Sequence, residues 1–282
     1  MNLVIGTAGW RTSYGALKKR IISKKKIEEI LHLADSKNFL AIDTSPDYDD
    51  AEMMIGQCFW KRDIATKIVF KNESEKDFQI KLRHSIERLR VNHLSVVFIH
   101  NWDDLNQTNK LRALKLMNKM KAIGLVRDIG ISTYSVSAIK QILSSKIRDV
   151  IIQVNLNTLD QRIVELGVEK WQSKILQNEV ELWGRSIFLQ GILLDSSKEN
   201  PFSRHPDLIR FWRYCSSIGS NPYDVCLAFP KQLGFIDAIV VGINSVKEIH
   251  SLVKSNTGPS TKFDFSSIAS LDSNLIDPRR WR

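Results

Sequence analysis

The chain has 282 residues, 43% hydrophobic and 26% charged, with 41 basic against 31 acidic side chains for a formal charge of +10. No apolar run approaches the ~20 residues that a membrane span needs, and no linker, low-complexity tract or repeat of roughly 20–50 residues divides the sequence, so one domain over 1–282 is expected. The positive charge favours anionic partners in general, yet no helix-turn-helix, RNA-binding aromatic block or zinc-finger spacing accompanies it, and no nucleic-acid or membrane role is expected.

Taken in chain order, the sequence opens on a strand, Leu3-Val4-Ile5, and no secretory leader is expected. Gly6-Thr7-Ala8-Gly9 follows; it is too short for a dinucleotide-binding glycine turn and opens no helix. Lys18, Lys19, Arg20, Lys24, Lys25 and Lys26 flank a helix start whose buried stripe is Ile27, Ile30, Leu31 and Ala34, so the lysines read as a solvated face. Further strands fall near 39–43, 64–68, 94–99, 127–131, 149–154, 180–184 and 237–241. Helical spacing is clearest in Phe78, Leu82, Ile86, Leu89 and in Leu111, Leu114, Met117, Met120. Residues 195–210, with Asn200-Pro201 and His205-Pro206, read as an irregular insertion near a rim. Alternation of eight strands with helices predicts an α/β fold of the (β/α)8 TIM-barrel type, a parallel eight-stranded barrel with surrounding helices. Cys58, Cys215 and Cys226 have no metal spacing and form no even framework, which suits a reducing cytoplasm and no metal site.

Four polar residues mark consecutive strand ends. Asp43 closes Phe39-Leu40-Ala41-Ile42, Lys67 follows Ile64-Ala65-Thr66, and His100 closes Val96-Val97-Phe98-Ile99. Tyr48 lies in the turn-rich stretch Ser45-Pro46-Asp47-Tyr48-Asp49-Asp50. Singly, each reads as a cap, a turn residue or packing. Together, at the carboxyl ends of parallel strands, a phenol, an ammonium, a carboxylate and an imidazole meet at the rim where barrel enzymes keep their chemistry, and they form a proton-transfer set.

These residues stand in blocks that resemble the aldo-keto reductase family along the whole chain. Ile42 to Glu52 resembles its Asp-Thr-Ala-x-x-Tyr-Gly-x-Ser-Glu block, Ala65-Thr66-Lys67 its Thr-Lys strand end, and Ser85 to Arg90 with Phe98-Ile99-His100 its Ser-Leu-x-x-Leu…Leu-x-His segment. Gly124 to Ser132 resembles Gly-Lys-Ile-Arg-x-Ile-Gly-Val-Ser-Asn, while Gln153-Val154-Asn155 and Val241 to Ser245 are similar to the later cofactor segments. The resemblance implies NAD(P)H-dependent reduction of a small-molecule aldehyde or ketone. Tyr48 would be the general acid, its pKa lowered by Lys67. Asp43 would pair with Lys67, and His100 would orient the carbonyl oxygen.

The resemblance also implies cofactor contacts. Gly6 and Thr7 would pass near the nicotinamide, with Ser132, Thr133 and Gln153 at its carboxamide; Thr133 replaces the family's Asn. Arg185-Ser186-Ile187-Phe188-Leu189-Gln190-Gly191 replaces a Tyr-Ser-Pro-Leu block, so Arg185 stands where an aromatic ring would stack, with Ser186 and Gln190 beside it. This block is similar to that of a bacterial branch associated with sugar metabolism, which points to sugar-related carbonyls. Gly242, Asn244, Ser245 and Glu248 would meet the nucleotide. Glu248 reads either as a carboxylate that repels a 2′-phosphate and accepts from a ribose hydroxyl, or as a cap of its helix. Lys247 points about 100° away on a helix and is not expected to reach. The cofactor expectation is therefore NADP(H) with appreciable NAD(H) use. Trp10, Arg11, Asn101 and Trp102 follow strand ends near His100 and would line the substrate pocket; Trp281 would fold over the barrel or pack against it.

Two other readings stay open. Asp47, Asp49, Asp50, Asp103 and Asp104 with His100 could form a metal-dependent hydrolase site, although six histidines with no His-x-His pair fit poorly. A slow or non-catalytic nicotinamide-binding subunit on the same fold is the second.

Overall fold

A computed structural model describes residues 1–11, 21–257 and 262–281. Eight parallel strands close into a barrel in sequence order: β1 Asn2–Gly6, β2 Ala41–Asp43, β3 Asp63–Ile68, β4 Leu94–Ile99, β5 Val126–Thr133, β6 Val150–Asn155, β7 Val180–Arg185 and β8 Ala238–Gly242. β8 returns to β1 with Gly6 opposite Gly242.

Side chains alternate across a strand, so one in two faces the barrel axis. The lower interior is filled by Val4, Ala41, Ala65, Val96, Phe98 and Trp183, among others. Phe98 and Trp183 meet at 5.7 Å between ring centroids. Gly130 makes room for them, since a Cβ there would stand 2.3 Å from the Phe98 ring. One alternation step above this layer, the same strand faces carry Asp43, Lys67, Gln153 and Arg185. Every one of these polar residues lies at a strand's carboxyl end, so they form one layer at the rim.

The helix Lys24–Ser36 buries Ile27, Ile30, Leu31 and Ala34, as its 3.6-residue spacing predicts. Lys18, Lys19 and Arg20 lie outside the described residues. The helix Gln107–Ala122 differs from its expected stripe: it buries Ala113, Leu116, Met117 and Met120, and leaves Leu111 60% exposed. At 100° per residue Leu111 lies about 200° around the helix from Ala113, on the face turned away from the buried stripe. Residues 195–210 are also more ordered than expected. A helix starts at Pro206, where proline's missing N–H costs nothing, and His205 caps it by accepting from Asp207 N. Contrary to expectation, Ala8–Arg11 forms a helical turn after β1.

Glu52 ties three elements beneath the rim. It is buried, accepts from Thr66 Oγ1 at 2.6 Å and pairs with Arg88 Nε at 2.7 Å.

Candidate active site

The carboxyl-terminal rim opens into a cavity of about 1080 Å³, and Asp43, Tyr48, Lys67 and His100 all line it. Asp43 and Lys67 are the buried pair: Nζ lies 2.5 Å from Oδ1, with the side chains 5% and 3% exposed. Lys67 also donates to Thr44 O at 3.0 Å, and Gln153 Nε2 donates to the second Asp43 oxygen at 2.8 Å. The Asp43 carboxylate is thereby satisfied on both oxygens. The Lys67 ammonium sits 5.2 Å from the Tyr48 ring centroid.

The electrostatics of Tyr48 differ from the expectation that Lys67 lowers its pKa. Burial, and then the Asp43 charge, push the phenol well above its ordinary value; Arg185 opposes them. The reason is geometric: with Asp43 2.5 Å from its ammonium, Lys67 presents the phenol with a nearly neutral pair. Tyr48 is therefore protonated throughout the neutral range. His100 Nδ1 lies 3.7 Å from Asp47 Oδ2, and the imidazole holds the Asp47 carboxyl below the usual carboxylate range.

Of the residues expected at the cofactor, Gly6, Gln153, Arg185, Ser186, Gln190, Gly242, Asn244 and Glu248 line the cavity. Thr7, Ser132, Thr133 and Ser245 stand behind its wall. Thr7 Oγ1 lies within hydrogen-bond distance of Asp43 O, at 3.1 Å, and of Thr44 Oγ1, at 2.9 Å. The Thr133 hydroxyl donates to Asp103 Oδ1 at 2.5 Å and accepts from Ser135 N, so it is committed to its own turn. Ser245 and Glu248 cap the helix start: Ser245 Oγ accepts from Glu248 N, and Glu248 Oε2 accepts from Asn244 N, one residue ahead of the cap, at 2.8 Å. The capping reading of Glu248 thus has its hydrogen bonds, while the residue still borders the cavity. Lys247 borders it too, against expectation, and so does Lys254.

None of the four residues expected at the substrate lines the cavity. Trp10 is fully buried and donates to Ile243 O. Arg11 is bound to Asp50 through Nε at 2.5 Å and Nη2 at 3.1 Å. Asn101 clasps the Phe70 backbone, accepting from N at 2.9 Å and donating to O at 3.0 Å. Trp102 is buried, with Lys110 Nζ 5.2 Å from its ring centroid. All four follow strand ends, but their contacts commit them outside the cavity lining. Trp281 packs against Phe202 at 4.9 Å.

Sequence reasoning missed Tyr134, Tyr223 and Arg279, which do line the cavity. Tyr134 directly follows β5, so its strand-end position was the available signal. Tyr223 and Arg279 arrive from distant segments and had none.

The cavity offers what a nicotinamide would need. Gln153 Oε1 is buried without a hydrogen-bond partner, while its amide nitrogen is fixed on Asp43. That orphaned carbonyl can accept from a carboxamide N–H. Where β1 meets β8, a Cβ on Gly6 would press at 3.3 Å on Gly242 N, so glycine keeps this wall flat. The acidic residues of the hydrolase reading do not converge. Asp50 is on Arg11 and Asp103 is on the Thr133–Tyr134 turn. Among the described residues no group of three or more His, Cys, Asp or Glu is placed to hold a metal. No helix among them is long and apolar enough to cross a membrane.

Comparison with known proteins bears on the family and the fold. The model of the aldo/keto reductase family matches residues 2–273. The chain is 24% identical over 287 residues to a D-arabinose 1-dehydrogenase of Saccharomyces cerevisiae, covering 89% of this chain and 84% of that one. It is 31% identical over 115 residues to a methylglyoxal reductase of Yersinia pestis, covering 38% and 42%. Among solved structures, a glycerol dehydrogenase from Gluconobacter oxydans superposes with a TM-score of 0.68 at 17% identity, covering 92% and 87%. The holo form of an aldo-keto reductase from Bacillus halodurans does so with 0.68 at 16%, covering 93% and 88%.

Proposed function

The chain belongs to the aldo/keto reductase family and is an oxidoreductase, and we propose that it reduces a small aldehyde or ketone with a nicotinamide cofactor, Tyr48 acting as the proton donor. The observation that carries this reading is the rim layer itself: Tyr48 beside the buried Asp43–Lys67 pair, with His100 on the same cavity wall.

The cofactor, when bound, supplies the hydride. The chain's own groups do the rest. A carbonyl oxygen within reach of Tyr48 and His100 gains negative charge as the carbon is reduced. The Tyr48 phenol, held protonated by its burial and by Asp43, delivers its proton there. His100 positions the oxygen and stabilises the developing alkoxide. Lys67 stands 5.2 Å from the Tyr48 ring, and the Arg185 charge is the one that favours the transient phenolate. Asp43 holds Lys67 in place. Gln153, through its free Oε1, would hold the carboxamide, with Ser132 in register beside it. Arg185 would flank the ring, and Gly6 and Gly242 would let it lie flat.

At the far end of the cavity, Lys247 and Lys254 stand near Glu248. Two ammonium groups against one carboxylate suit a 2′-phosphate, and the carboxylate suits a 2′-hydroxyl, so both NADP(H) and NAD(H) are used. The name of the yeast relative, a D-arabinose 1-dehydrogenase, supports a sugar-related carbonyl as substrate. A cytoplasmic location fits such chemistry and three free cysteines.

Titration with NADPH and with NADH, read by tryptophan fluorescence, tests the cofactor; a panel of aldehydes and ketones follows. A chain that binds neither nucleotide in the micromolar range would end this reading. Nucleotide binding with no turnover of any carbonyl would favour the binding-subunit alternative.

A further inference from the structure

We propose that Gln153 is a positioning residue for the proton transfer: by donating to the second Asp43 oxygen it fixes, from the opposite wall of the barrel, the carboxylate that holds Lys67 beside Tyr48. The proposal rests on the carbonyl-reducing reading above and gives Gln153 a task separate from holding the carboxamide.

Asp43 ends β2, and Gln153 lies on β6 in register with Ser132 of β5. In a closed barrel of eight strands taken in sequence order, β2 and β6 face each other across the axis. The Gln153 side chain therefore spans the top of the barrel to bring Nε2 within 2.8 Å of Asp43 Oδ2. Both residues are buried. Lys67, on the neighbouring β3, takes Oδ1 at 2.5 Å. A carboxylate held by one oxygen alone can turn about its Cβ–Cγ bond, where rotation is broad and soft. Held at both oxygens from two walls, the Asp43 carboxylate has its plane fixed as well as its position.

The contact also fixes the amide. An ionised carboxylate has no proton to give, so the amide atom facing Asp43 is the nitrogen, and Oε1 is the end left buried without a partner. One side chain thus holds the pair with its nitrogen and keeps its oxygen as a free acceptor. The bearing on the reaction is electrostatic. After burial, the Asp43 charge is what works most against ionisation of Tyr48. An N–H aimed at Oδ2 draws off part of that charge, as Lys67 does at Oδ1. Without it a buried carboxylate oxygen loses its donor, the plane is free to turn, and the transient phenolate faces a fuller negative charge.

The test uses the full chain at saturating NADPH with the aldehyde it turns over best. Gln153→Met keeps the length of the side chain and removes both amide groups, and kcat falls about tenfold or more, the value of a hydrogen bond to a charged group. Gln153→Glu then separates positioning from a loosened carboxamide. Its carboxylate still accepts from a carboxamide, so a residue that only holds the cofactor gives this variant a kcat that is level or rises with pH. Its protonated form donates to Asp43 and its ionised form repels it, so a positioning residue gives a kcat near wild type at low pH that falls as pH rises and the proton shared by the two carboxyls is lost. That falling limb, absent from wild type, is the expected result. A level or rising profile in Gln153→Glu overturns the proposal, and so does a Gln153→Met kcat within about threefold of wild type. Failure of both variants to fold would make Gln153 a strut of the barrel and overturn it too. If the wild-type chain reduces no carbonyl, the underlying reading fails, and urea unfolding decides on the contact alone. Gln153→Glu should then lose stability relative to wild type as pH rises above about 4.3, because the introduced carboxyl, its pKa raised by burial and by Asp43, binds its proton more tightly folded than unfolded. Parallel stability profiles would overturn the contact.

Discussion

Lys67 Nζ and Asp43 Oδ1 lie 2.5 Å apart at the rim with both side chains at most 5% exposed. Breaking a buried pair by removing one partner leaves an uncompensated charge and typically costs about 3–5 kcal/mol. Lys67→Met should therefore lose both stability and turnover, with Asp43 left on Gln153 alone. Urea unfolding gives the first effect and steady-state kinetics the second. An Asp43→Asn, Lys67→Met double variant should recover part of the stability and none of the activity. A double variant no more stable than Lys67→Met would mean that the buried charge is not what destabilises it.

Tyr48→Phe keeps the ring beside Lys67 and removes only the proton donor. General acid catalysis contributes about 10²–10⁴ in rate, so kcat for carbonyl reduction should fall by that factor. Nucleotide Kd should change by less than about threefold, since no hydrogen bond to the nucleotide is assigned to this hydroxyl. Turnover above about a third of wild type would remove Tyr48 from the proton-donor role.

The pH dependence follows from the sign of the Tyr48 shift. Its pKa is raised, by burial first and Asp43 second, so the protonated form persists across neutral pH. Carbonyl reduction needs that form and should be flat from about pH 6 to 9, since even an ordinary phenol titrates near 10. Alcohol oxidation needs the ionised form and should rise with pH through the same window. A basic limb in the kcat/KM of reduction below about pH 8 would contradict the raised value.

The proposed use of both nucleotides turns on Glu248, Lys247 and Lys254. The wild-type preference for NADPH over NADH should stay below ~100-fold, or about 2.7 kcal/mol. Lys254→Met should raise KM for NADPH more than for NADH, by roughly tenfold, the value of one charge-assisted contact. Glu248→Gln keeps the acceptor for Asn244 N and removes the charge, so it should shift preference toward NADPH with little loss of stability. Equal effects on both nucleotides in each variant would place these residues away from the 2′ position.

Glu52 gives a stability prediction independent of catalysis. It is buried against Thr66 and Arg88 and lines no part of the cavity. Glu52→Ala should destabilise the protein by about 2–4 kcal/mol, less than a fully buried pair because Arg88 can turn to water. The urea midpoint should drop while KM of the surviving folded enzyme holds.

Strand periods and strand-end polarity made the barrel and the layer of Asp43, Lys67 and His100 legible, because alternation is local and a parallel strand shows its whole apolar run in sequence. Tyr48 was legible through the block around it. Lys67's effect on Tyr48 was not, since it depends on how closely Asp43 neutralises the ammonium. Trp10, Arg11, Asn101 and Trp102 also follow strand ends, and nothing local distinguishes a turn that faces the cavity from one that folds outward.

The sequence by itself determined which strand residues reach the rim, because each strand's direction and alternation are properties of a few consecutive residues. Only the tertiary structure decided what meets there. The Arg185–Tyr134–Arg279 stack joins three segments across the chain, and Gln153 lies 110 positions from its partner Asp43. Such contacts are set by barrel closure and by the path of the C-terminal segment, and neither leaves a mark on the neighbouring sequence.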